Sequence, residues 1–414
     1  MISARLKSIE LFTGAGGLAL GTAAAGFDHR LLVEYNRDAC KTLRMNQAAF
    51  GSQCEIHEGD VKAFSFHQFS DIDLLAAGAP CQPFSIGGKH RAHRDDRNLF
   101  PQVFRAVRES RPKVVIVENV KGLLRSSLSA FVEYVELQLS FPEVVSRDPL
   151  DSSIWADHLP LLRLAKQRRE SKGLTYTVEK VLLNAADFGI PQVRERVFFV
   201  AIRNDLDLEW SPPKRTHSEA ALRISQLVSG AYWRRHGLTR KTLPTHPRFG
   251  KWLREAGRTE AWRTVRDALA GIPEPIAGVE TNGWPNHVGQ SGARSYPGHT
   301  GSPLDRPAKT LKAGVHGVPG GENMLRRQNG TVRYFTVREA ARIQTFPDDY
   351  VFSGAWGEAM RQIGNAVPVE LAQAVARSVV EFLTNGVSSP QQHRRRSRPS
   401  AEQVEMPELL IASA

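Results

Sequence analysis

Nothing in the sequence restricts the fold more than residues 8–25. A short strand signal, Ser8-Ile9-Glu10-Leu11, runs through Phe12-Thr13 into the glycine turn Gly14-Ala15-Gly16-Gly17, and an alanine-rich helical stretch follows over 18–25. A strand that turns on glycines straight into a helix lets a ligand approach the backbone closely and meet the helix amides. The alternation then repeats. Residues 29–34, 73–77, 114–117, 176–183 and 196–202 read as strands, with helices over 38–48 and 100–109. This pattern predicts an α/β chain with a doubly wound mixed sheet of Rossmann-like type.

The texture divides the chain further. Residues 1–203 form a first unit, in which 141–173 has mixed charge and no strong period and is expected to be an insertion. Residues 204–330 are rich in Pro, Gly, Trp and Arg with little periodicity and are expected to form a second, smaller, irregular domain. Residues 331–386, with helices over 335–346 and 368–383, should return to the first unit. Residues 387–414, dominated by Ser, Pro, Gln and Arg, are expected to be disordered.

The formal net charge is +12, and the tail does not account for it, since it holds four arginines and three glutamates. Between Pro212 and Arg266 thirteen Lys or Arg face three Glu, interleaved with Tyr232, Trp233, Phe249, Trp252 and Trp262. A basic body with interspersed aromatics suits a polyanion such as nucleic acid. The apolar runs are too short for a membrane span, and no signal-peptide pattern opens the chain, so a cytoplasmic protein is expected. The three cysteines, Cys40, Cys54 and Cys81, fit neither a zinc site nor a disulfide framework.

Four groups carry chemistry. The glycine turn, with Glu34 twenty residues after Gly14 as a candidate for ribose hydroxyls and Asp60 for an adenine edge, suggests an adenosine-containing cofactor. It does not separate NAD from S-adenosylmethionine (SAM), and glycines serving only a tight turn would look the same. Cys81, in Gly78-Ala79-Pro80-Cys81-Gln82-Pro83, stands between two prolines just past a strand; it is either a nucleophile or an inert buried thiol. Glu118 ends the 114–117 run at the same sheet edge and reads as a candidate acid or as the first solvated residue after a strand. Arg194 and Arg196, two apart in a strand, point to one face and could clamp a phosphate or a carbonyl.

In this order the groups resemble the DNA (cytosine-5) methyltransferase family. The motifs are Phe12-x-Gly14-x-Gly16-Gly17, Glu34, Asp60, Pro80-Cys81-Gln82, Glu118-Asn119-Val120, Gln192-x-Arg194-x-Arg196 and Arg361-Gln362-Ile363-Gly364-Asn365-Ala366-Val367-Pro368. The resemblance implies a two-domain enzyme with a cleft for duplex DNA, its smaller domain carrying target recognition. It implies SAM as cofactor, held by Phe12, Gly14, Ala15, Gly16, Gly17 and Leu18, by Glu34, Asp60, Val61 and Pro80, and by Asn365, Ala366 and Val367. It implies a catalytic set of Cys81 as nucleophile, Glu118 holding the base, Arg196 at its carbonyl, and Arg194 supporting the cysteine loop, with no metal. A monomer acting on DNA, paired with a restriction endonuclease, is the expected setting.

Overall fold

The computed structural model describes residues 5–70, 72–80, 98–147, 154–169, 172–207, 209–243, 245–313 and 323–385. In the first unit the elements run β1 (Leu6–Leu11), α1 (Gly17–Ala25), β2 (Phe27–Glu34), α2 (Arg37–Met45), β3 (Glu55–Glu58), β4 (Leu74–Gly78), α3 (Phe100–Ser110), β5 (Val114–Val120), α4 (Ser129–Ser140), α5 (Trp155–Gln167), β6 (Tyr176–Asn184) and β7 (Glu195–Arg203). These strands make one seven-stranded sheet in the order β3-β2-β1-β4-β5-β7-β6. Strands β1 to β5 pair in parallel, and β7 runs antiparallel between β5 and β6. The mixed α/β sheet expected from the alternation is therefore present.

The central strands are continuous apolar runs, as strands covered on both faces must be. On one face Ile9, Leu11, Leu75, Val115, Val117 and Phe199 pack against α3, α4 and α5. On the other, Leu74, Ile116, Phe198 and Val200 meet Leu18 of α1 and the C-terminal helix Val369–Asn385. The strand order reverses between β1 and β4, which opens a crevice at the carboxyl edge beside the glycine turn.

The remaining elements are β8 (His217–Ser218), α6 (Glu219–Leu227), α7 (Ala231–Arg235), α8 (Phe249–Ala256), β9 (Glu260–Ala261), α9 (Val265–Ala268), β10 (Ser302–Pro303), β11 (Met324–Arg326), β12 (Val332–Tyr334), α10 (Val337–Ile343), α11 (Trp356–Asn365) and α12 (Val369–Asn385). The chain thus returns after residue 330 to lay α12 along α1.

Within residues 141–173, the expected insertion, lies the helix α5, whose Leu159 and Leu162 are buried in the core shared with Phe131 and Tyr134 and whose Pro160 interrupts the period. Some local expectations are corrected. The helix expected over 38–48 stops at Met45 and tightens into a 3-10 turn, Gln47–Phe50. The one expected over 335–346 is confined to α10, opened by a capping box between Thr336 and Glu339. Helix α11 was not anticipated. Strand β5 runs on to Val120 because β7 pairs along it, with Glu118 opposite Phe198 and Val120 opposite Arg196. Glu118 is therefore a buried strand residue, not the first solvated one after it. Cys81 and residues 387–414 lie outside the described residues.

Candidate active site

The glycine turn is held from several sides. Gly14 and Gly16 have φ of +57° and +85°, which side chains resist. Phe12 adopts φ +57° as well, an uncommon conformation for a residue with a side chain and one that concentrates at ligand sites. The Gly14 amide donates to Glu34 Oε2 at 2.7 Å, while Glu34 Oε1 accepts from the Tyr35 and Asn36 amides at 2.9 and 2.7 Å. Tyr350 donates its hydroxyl to the Ala15 carbonyl at 2.7 Å. Among the described residues a Cβ on Gly14 would meet nothing within 4 Å, whereas one on Gly17 would lie 2.3 Å from the Val367 carbonyl. One side of the turn is thus open and the other is closed by the segment Gly364 to Val367.

Asp60 is exposed, caps the 3-10 turn Val61–Ala63 through the Lys62 amide, and is brought beside β2 by the bond from the Gly59 amide to the Glu34 carbonyl. Phe12, Glu34, Asp60, Pro80 and Asn365 remain at least partly accessible. Ala15, Leu18, Val61, Ala366 and Val367 bury their side chains, leaving only backbone for a ligand. Tyr35 was missed by the sequence reading. The residue is 78% exposed beside Glu34, and a large aromatic directly after an acidic strand end was the available signal.

The second cluster lies next to the first. An added Cβ on Gly78 would stand in ordinary contact with both the Phe12 carbonyl, 3.5 Å away, and Glu118 Oε2, 4.0 Å away, so Gly78 joins the glycine turn to the carboxyl. Glu118 pairs with Arg196, Oε1 to Nε, at 2.8 Å. Burial raises the Glu118 pKa above the usual carboxylate value, and the charges of Arg196 and Arg194 oppose that rise. A carboxyl balanced in this way can hold a proton at one oxygen and accept at the other. Asn119 is buried; its Nδ2 donates to the Ala79 carbonyl at 3.2 Å, tying the end of β5 to the chain just ahead of Cys81.

Arg194 and Arg196 do not act as one clamp. Arg194 precedes β7, is fully buried, and donates to the carbonyls of Leu311 (2.8 Å), Gly364 (2.7 Å) and Ala366 (2.9 Å). Gln192 accepts from the Leu311 amide and donates to Gln344, which in turn donates to the Ile363 carbonyl. This buried network fastens the arginine motif to the closing motif across more than a hundred residues of chain. Arg194 thus ties distant backbone segments together, while Arg196 pairs with Glu118. Among the described residues no group of His, Cys, Asp and Glu could hold a metal ion, and no helix is long and apolar enough to cross a membrane.

The family model for C-5 cytosine-specific DNA methylase matches residues 6–139 and 162–381. Type II methyltransferase M.NgoMIV of Neisseria gonorrhoeae is 30% identical over 385 residues, covering 92% of this chain and 98% of the relative. Type II methyltransferase M.Eco47II of Escherichia coli is 34% identical over 389 residues, covering 91% and 79%. Among solved structures, S. pombe Dnmt2 methyltransferase superposes with a TM-score of 0.53 at 19% identity, covering 92% of this chain and 99% of that one. A mutant of Spodoptera frugiperda DNMT2 gives 0.55 at 15%, covering 91% and 100%. At such identities these two establish likeness of fold alone.

Proposed function

Because the chain belongs to the C-5 cytosine-specific DNA methylase family, we propose that it transfers a methyl group from SAM to carbon 5 of cytosine within a short, specific duplex DNA sequence, as the modification enzyme of a restriction–modification system. The observation that carries the reading is the adjacency at Gly78, where a single added Cβ would touch both the Phe12 carbonyl (3.5 Å) and the Glu118 carboxyl (4.0 Å). A cofactor on the glycine turn and a base against Glu118 would meet there.

The residues suit SAM. Glu34 sits at the end of β2 for ribose hydroxyls, with the exposed Tyr35 ring beside it to stack on adenine and Asp60 for the adenine edge. The open face of Gly14 gives room for the amino-acid end. When bound, SAM supplies an electrophilic methyl group.

Cytosine carbon 5 is too weak a nucleophile to accept that group directly. The Cys81 thiolate adds at carbon 6 and turns the ring into an enamine, which is covalent catalysis in its ordinary sense. Glu118 holds N3 and the exocyclic amine and stabilises the charge that develops there. Arg196, paired with Glu118, orients it and reaches the base carbonyl. Carbon 5 of the enamine would take up the methyl group, and its proton would then pass to a base as the Cys81 sulfur leaves carbon 6, which restores the ring. A base inside the duplex is out of reach, so the target flips out of the stack into this pocket. The basic segment between Pro212 and Arg266 supplies phosphate contacts and base readout.

Incubation of the protein with duplex DNA and methyl-labelled SAM, followed by bisulfite mapping, tests the reading. Label at carbon 5 of cytosine in one short sequence is the expected result. Label on RNA but not on DNA would keep the chemistry and overturn the substrate, and no label on either would overturn both.

A further inference from the structure

The proposed mechanism gives no part to Gln344, a fully buried residue at the C-terminal cap of α10. Its side chain stands between two segments that the chemistry needs. On one side Nε2 donates to the carbonyls of Ile363 (2.7 Å) and Ala366 (3.2 Å), in the stretch that closes the glycine turn. On the other, Oε1 accepts from Gln192 Nε2 at 3.0 Å, at the head of the arginine motif and 152 residues away in the chain. Gln192 is also fully buried, and its own Oε1 accepts from the Leu311 amide at 2.9 Å.

The partners fix both amides. Carbonyl oxygens only accept, so Gln344 turns its nitrogen to Ile363 and Ala366 and its oxygen to Gln192. Gln192 must then present its nitrogen to Gln344 and its oxygen to Leu311. The two carbonyls do not depend on Gln344, since Ile363 also accepts from the Ala366 amide at 3.2 Å and Ala366 from Arg194 at 2.9 Å. The amide pair is therefore a tie between segments rather than a remedy for a buried backbone group. At one end of the tie, the Val367 carbonyl lies where a Cβ on Gly17 would meet it at 2.3 Å, directly against the turn. At the other, four residues past Gln192, Arg196 holds Glu118 at 2.8 Å.

We propose that the Gln192–Gln344 pair sets the spacing between the cofactor wall and the base pocket, which makes Gln344 a positioning residue for methyl transfer and not for cysteine addition. This rests on the reading of the glycine turn as a SAM site and of Glu118 as the group that holds the cytosine. Transfer requires the methyl group and carbon 5 to be aligned, a relation between the two walls. Addition of Cys81 at carbon 6 requires the base pocket alone. A displacement of about 1 Å between reacting groups costs about a hundredfold in rate. Loss of the tie should fall on transfer and spare addition.

Duplex DNA carrying tritium at carbon 5 of the mapped target cytosine separates the two steps. Without SAM, the enamine formed by Cys81 takes up a proton at carbon 5, the tritium passes to a base, and the sulfur leaves carbon 6, so label enters water. With methyl-labelled SAM, transfer is counted directly. Gln344→Met and Gln192→Met should each lower transfer at saturating SAM and DNA about a hundredfold, while tritium release without SAM, and SAM affinity by calorimetry, stay within about threefold of wild type. The double variant leaves neither amide facing an apolar partner and should show the same split, so it decides the matter if a single variant does not fold. Transfer and tritium release falling together, transfer unchanged, or a loss confined to SAM affinity would each overturn the assignment. A wild type that neither releases tritium from DNA nor methylates it would overturn the proposed function, and this inference with it.

Discussion

Replacing Arg196 by Met tests the Glu118–Arg196 pair through stability rather than activity. The two side chains are 9% and 11% exposed and meet at 2.8 Å. Removing one partner of such a pair leaves a buried charge, a loss of about 3 kcal/mol when the remaining group stays ionised. Glu118 can escape part of that loss by taking up a proton, and the escape depends on pH. The Arg196 charge opposes the burial that raises the Glu118 pKa, so the variant's pKa lies higher still. A carboxyl whose folded pKa is raised contributes stability that is fully present below the unfolded value of 4.5 and is lost as pH rises through the folded pKa. The loss accrues at about 1.4 kcal/mol per pH unit. Urea unfolding of the wild type and Arg196→Met should therefore differ by under about 1 kcal/mol near pH 5 and by about 3 kcal/mol at pH 8. A difference independent of pH, or larger in acid, would refute the account of the pair.

Three further outcomes follow from the same geometry. Glu118→Gln should lower kcat by about a hundredfold or more, with SAM affinity by calorimetry unchanged; a large loss of SAM binding instead would remove Glu118 from the base side of the site. Tyr35→Ala, at an exposed position, should weaken SAM about tenfold and leave the melting temperature as it was, and an unaltered affinity would end its role as a stacking platform. Gly17→Ala places a methyl group 2.3 Å from the Val367 carbonyl; it should cost about 2 kcal/mol of stability, read as a lower urea midpoint, and a neutral result would mean that the closing segment does not press on the turn.

The central sheet was legible because its strands are apolar runs punctuated by glycine turns, a local signal that tertiary contacts only reinforce. The site elements Glu34, Glu118 and Arg196 stood at strand ends, where the alternation located them. What sequence could not supply was direction. Arg194 and Arg196 share a motif, yet one reaches carbonyls near residues 311 and 364–366 and the other reaches Glu118, a divergence set by contacts far away in the chain. Helix α5 escaped notice because Pro160 interrupts it and only part of its surface reaches the core. The helices between residues 219 and 268 have four to nine residues each, too few for a period to stand out.

The central claim is that Cys81 forms a bond to carbon 6 of a flipped cytosine. A duplex carrying 5-fluorocytosine at the methylated position blocks loss of the carbon 5 substituent and so should trap the adduct. With SAM present, denaturing electrophoresis should reveal a covalent protein–DNA species, and peptide mass spectrometry should locate the link at Cys81. That species should be missing in Cys81→Ser. Methyl transfer to unmodified DNA without any trapped species on the fluorinated duplex, or a link at another residue, would contradict the account.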